Sequence, residues 1–73
     1  MATQHTARSR RSAARAPARV ARKLRLVAER LRDTADELSA IGYIGIAGEM
    51  RGAAHIAAGW AVTIETETAA VQP

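Results

Sequence analysis

Eight basic residues precede the first acidic one: Arg8, Arg10, Arg11, Arg15, Arg19, Arg22, Lys23 and Arg25 come before Glu29. Arginine presents a planar fork of donors that matches phosphate oxygens, and lysine adds a compact point charge. In a helix, successive residues are turned by about 100°, so Arg15, Arg19, Arg22 and Lys23 fall along one side. Such a stripe can follow a phosphate backbone. Residues 1–32 hold ten of the eleven basic residues and one acid, whereas residues 33–73 hold Arg51 and six acids. The basic end is therefore suited to a polyanion or to an acidic protein surface.

The residues that read bases are scarce. Asn is absent and Gln occurs only at positions 4 and 72. Contacts to the nucleic-acid backbone, with little sequence preference, are the expectation. Tyr43 and Trp60 lie outside the basic segment, so no platform for stacking single-stranded bases adjoins the charge. The pairing of basic residues with Leu24, Val27 and Leu31 also fits an anionic lipid surface. The acidic second half argues against lying flat there.

Catalytic and metal chemistry find little support. Without cysteine there are no disulfides and no thiolate ligands. His55 has Arg51, Gly52, Ala58 and Gly59 at the helical spacings where a second ligand would stand, and His5 lies in the N-terminal segment. His55 reads as a hydrogen-bonded core or interface residue. Asp33, Asp36 and Glu37 read as a solvated helix face. No nucleophile, base and orienting group occur together. The glycines at 45, 48 and 52 lack the lysine and hydroxyl of a phosphate loop. The expectation is a protein that is not an enzyme and uses no metal or cofactor.

These side chains must be positioned by helices. Residues 1–15 have no periodicity and much like charge, and read as a flexible basic arm. Pro17 favours a helix start near Ala16. Val20, Leu24, Val27, Leu31, Thr34, Leu38 and Ile41 are then spaced alternately by four and three, an amphipathic heptad helix over 16–41. Thr34 and the small Ala35 mark a thin spot where another helix could approach. Gly42 reads as a left-handed cap, and residues 42–45 as the turn.

Ile46, Met50, Ala53, Ala57, Trp60 and Ile64 repeat the spacing in a Gly/Ala-rich helix over 46–62. Its glycines cost about 1 kcal/mol each in a helix, which makes sense if a second helix packs closely against Gly48 and Gly52. Glu49 suits the positive end of that helix. Residues 63–73 read as an extended tail, because 60–68 alternate with period two and are rich in β-branched residues.

The fold expected is all-α: a helical hairpin with an N-terminal basic arm. A 73-residue chain with so much alanine has a thin apolar surface, so oligomerisation or docking on a partner should complete it. Val20, Leu24, Val27, Leu31, Leu38, Ile41, Met50 and Trp60 are the candidate oligomer interface, with Trp60 closing the hairpin or the dimer seam. No secretory signal is evident, and charges interrupt the apolar residues 41–64, so a cytoplasmic protein without a membrane partner is expected. Two functions fit. One is a small oligomeric nucleic-acid-binding protein. The other is a structural subunit of a shell, virion or multiprotein complex, whose basic arm docks onto an acidic protein surface.

Overall fold

The computed structural model describes the backbone of residues 2–71 and the side chains of residues 15–70. It is an all-α two-helix hairpin: α1 spans Ala2–Ala40 and α2 spans Ile44–Val71. Among the described residues there is no strand. The molecule is a rod of 62 × 17 × 11 Å.

The turn is built as the sequence predicts at its central residue. Gly42 has φ of +99°, a conformation that side chains with a Cβ rarely adopt. The Tyr43 N–H donates to the Leu38 carbonyl at 2.8 Å, and the Gly42 N–H donates to the Ser39 carbonyl at 3.1 Å. This pair of bonds is the Schellman termination, which satisfies carbonyls left open at a helix end. The Ala47 N–H then donates to the Tyr43 carbonyl at 3.0 Å. As a result α2 begins at Ile44, two residues before the expected start, and the turn is shorter than 42–45. Glu49 falls beyond the first turn of α2.

The core is displaced from the expected one by one position at alternate contacts on each helix. The buried side chains are Ala21, Ala28 and Ala35 on α1 and Ala47, Ala54, Ala57 and Ala61 on α2. Leu24, Leu31 and Leu38 are half-buried beside them, as are Met50 and Ile64. Each helix thus presents alternating three- and four-residue steps, with alanine at one of the two repeating positions. Val20, Val27, Thr34 and Ile41 were expected on the seam but are exposed, as are Ile46, Ala53 and Trp60. The physical reason is helix separation. The distance between packed helices depends on the side chains at the contact, and alanine permits the closest approach. Ala35, the thin spot of the sequence, lies fully buried at that contact.

The glycines do not mark the close approach. A Cβ built at Gly45, Gly48, Gly52 or Gly59 meets nothing within 4 Å. They cost helix stability without an intramolecular packing return. Gly52→Ala is therefore expected to stabilise the hairpin by about 0.5–1 kcal/mol, read as a rise in the denaturant midpoint at fixed chain concentration.

Two further boundaries differ from expectation. The backbone of α1 starts at Ala2 rather than near Ala16, and Pro17 lies inside the helix. Pro17 supplies no N–H to the carbonyl four residues earlier, so residues 2–16 join the rest of α1 with one ladder bond fewer. The tail over 63–71 is helical instead of extended. Its threonines are accommodated by bonding back along the helix: the Thr63 hydroxyl donates to the Gly59 carbonyl at 3.1 Å, and that of Thr68 to the Ile64 carbonyl at 2.7 Å. Ala61, Ile64 and Thr68 continue the seam at helical spacing, which outweighs the β-branched preference for a strand.

Candidate nucleic-acid interface

The two helices differ in length, and the difference lies at the basic end. The turn sets Ile41 near the level of Ile46. Equal steps along the antiparallel helices then bring Val71 near the level of residue 16. Residues 2–15 of α1 project past the end of α2 by about 21 Å at 1.5 Å per residue. Arg8, Arg10 and Arg11 belong to this projection; their side chains lie outside the described residues.

Arg15, Arg19, Arg22 and Lys23 are exposed. All four belong to the outer positions of the heptad, away from Ala21, Leu24 and Ala28. Folding thus leaves the stripe on the solvent side while the seam is occupied by α2. Arg25 differs from the rest. Its Nε–H donates to Glu65 Oε2 at 3.1 Å, and its Nη2 reaches Glu65 Oε1. This two-pronged pair compensates the Arg25 charge from across the hairpin. A second inter-helix pair joins Arg51 Nη2 to Asp36 Oδ1 at 2.9 Å, nearer the turn. Neither pair was predicted from the sequence. No periodicity within one helix reports which residues of the other helix will stand opposite.

The Arg25 hydrogen bonds hold the Glu65 carboxyl below the usual carboxylate range; desolvation opposes them, and the Arg25 charge adds a smaller lowering. The same bonds, followed by the Glu65 charge, raise the Arg25 guanidinium. A carboxylate with a depressed folded-state pKa contributes stability above its unfolded value of about 4.3. That contribution is lost as pH falls through the lower folded value. The pair is solvent-exposed, so the effect is small and is screened by salt. Glu65→Gln is expected to melt slightly below the parent at pH 7, with the difference shrinking as pH is lowered below about 4.3, in low-salt thermal scans.

Among the described residues, no three His, Asp or Glu side chains are grouped as a metal ion would need. His55 is exposed rather than enclosed in a core. No described helix is long and apolar enough to cross a membrane. The candidate oligomer residues divide into two sets. Leu24, Leu31, Leu38 and Met50 are half-buried within the hairpin, whereas Val20, Val27, Ile41 and Trp60 are exposed, Trp60 at 58%. Trp60 does not close the hairpin.

What the fold defines is a class: a small all-α two-helix hairpin. Comparison with known proteins finds no matching family model, curated protein or solved structure.

Proposed function

We propose that this chain is a small, non-enzymatic helical protein that oligomerises and binds nucleic-acid backbone through the basic end of α1. The observation that carries the reading is the segregation of charge along the rod. Arg15, Arg19, Arg22 and Lys23 stand exposed near the open end and continue the line of Arg8, Arg10 and Arg11. Asp33, Asp36, Glu37 and Glu49 gather towards the turn beside Arg32 and Arg51, while Glu65 and Glu67 stand at the open end, where basic residues outnumber them. A polyanion meets the first end favourably and is repelled by the second, which orients the hairpin on it. With Asn absent and Gln confined to the termini, the contacts go to phosphates, and unrelated sequences bind alike. The protein would act in the cytoplasm, or in a particle assembled there, by neutralising and organising the backbone.

The test is binding of a random-sequence DNA duplex by the full chain and by a chain lacking residues 1–15, across a salt series. A steep salt dependence, marked loss on truncation and equal affinity for unrelated sequences support the reading. Weak binding at low salt, unaltered by truncation, overturns it. The basic end would then be a docking element for an acidic protein surface, as in a structural subunit of a larger assembly.

A further inference from the structure

Among the described residues the hairpin fully buries only alanines, and ten larger apolar side chains are exposed. Five of them, Val20, Val27, Ile41, Ile46 and Trp60, share one set of positions. On α1, Val20, Val27 and Thr34 each immediately precede a buried alanine, and Ile41 continues their seven-residue step. On α2, Ile46, Ala53 and Trp60 precede Ala47, Ala54 and Ala61 in the same way. In an antiparallel helix pair, positions just before the seam on both helices share one flank, and positions just after it share the other. The second flank is marked by the inter-helix pairs of Arg25 with Glu65 and Arg51 with Asp36. The hairpin is therefore amphipathic as a unit: one flank is charged, and the other is largely apolar from Val20 and Trp60 to the turn, with Glu67 beyond Trp60.

We propose that the apolar flank binds a second copy of this chain, antiparallel along the rod, to close a four-helix bundle. This rests on the oligomerisation in the proposed function, not on its nucleic-acid binding. Volume is the first argument. Ile41 and Ile46 flank the turn, and seven-residue steps along both helices give successive levels: Thr34 with Ala53, Val27 with Trp60, and Val20 with Glu67, where the apolar flank ends on α2. An antiparallel second copy sets the bulky level of Val27 and Trp60 against the small level of Thr34 and Ala53 in that copy. It also sets Val20 against the isoleucines by the turn. A parallel copy would set the two bulky levels of Val27 and Trp60 against each other and leave a void between the small levels, and close-packed interiors tolerate neither well.

Charge is the second argument. The antiparallel arrangement brings Lys23, bordering the apolar flank, to the level of Glu37 and Glu49 of the second copy. It also sets the basic stripe of each rod against the acidic turn end of the other. A parallel copy would align like charges along the whole length. Area is the third. From Val20 to Ile41 the flank runs about 32 Å, and with a 17 Å rod width the footprint is roughly 550 Å² per copy. A specific interface should bury at least about 1,000 Å² in total, about 500 Å² per partner, so the flank is large enough only if nearly all of it is used.

The test uses the full chain without nucleic acid. Analytical ultracentrifugation over a concentration series should show a dimer, and Trp60→Glu should weaken it by at least about thirtyfold, as loss of a buried aromatic anchor does. Because the chain has no cysteine, Val20→Cys and Ile41→Cys can be mixed as separate chains and oxidised. A disulfide between the two variants is expected, while Val20→Cys alone should not link to itself, its copies lying far apart. A chain monomeric at all concentrations overturns the proposal. So does association that Trp60→Glu leaves unaltered, or self-linking of Val20→Cys. Failure of nucleic-acid binding would leave all three readouts unchanged.

Discussion

A chain carrying leucine at position 54 is expected to melt roughly 5–20 °C below the parent. Ala54 is fully buried and packs with Ala28 and Ala57, bordered by Leu24 and Leu31. The added atoms must occupy space that the helices close only because alanine lines it. The neighbouring alanines above and below hold the separation small, so one leucine cannot widen the seam locally without opening contacts on both sides. Overpacking of this kind costs about 1–3 kcal/mol, a large part of the stability of so small a fold. Ala69→Leu, at an exposed position of α2, is the control and should melt within a few degrees of the parent. Both are read by circular dichroism at one chain concentration, because association shifts the midpoint. Equal melting of the position-54 variant and the parent would sink the alanine-seam account of the hairpin.

The second large effect is in salt dependence. Seven of the eight basic residues before Glu29 remain for phosphates once Arg25 is engaged by Glu65. Each neutralised phosphate contributes about 0.9 to the logarithmic salt slope on duplex DNA. Raising salt from 50 to 200 mM should then weaken the full chain by about 10⁴-fold. A chain lacking residues 1–15 keeps Arg19, Arg22 and Lys23, and should weaken by only about 50-fold over the same range. The slope is the better readout than affinity at one salt, because it counts charges and does not depend on how tightly each chain binds. Identical slopes for the two chains would remove residues 1–15 from the interface.

Much of this architecture was legible in the residues themselves. The alternating three- and four-residue spacing gave two helices, Gly42 their junction, and the run of arginines before Glu29 the asymmetry of charge. The seam was displaced by one position on both helices for a physical reason. A seven-residue repeat is shared by every position of the heptad, so Val20, Val27 and Thr34 recur as regularly as Ala21, Ala28 and Ala35. Size then favours the valines, since alanine is common on any helix face and carries little transfer energy. Tertiary packing reverses that order: the smallest side chains allow the closest approach and are buried, and their larger neighbours are turned to the flank.

The extent of the helices was likewise decided beyond local sequence. Residues 60–68 alternate like a strand, yet Ala61 and Ile64 lie on the seam and Glu65 pairs with Arg25 across it. The sequence by itself determined that there are two helices, where they turn, and which end of the rod is basic. Only the tertiary structure decided which stripe each helix spends on the other, because that choice depends on the distance between two backbones and not on the composition of either.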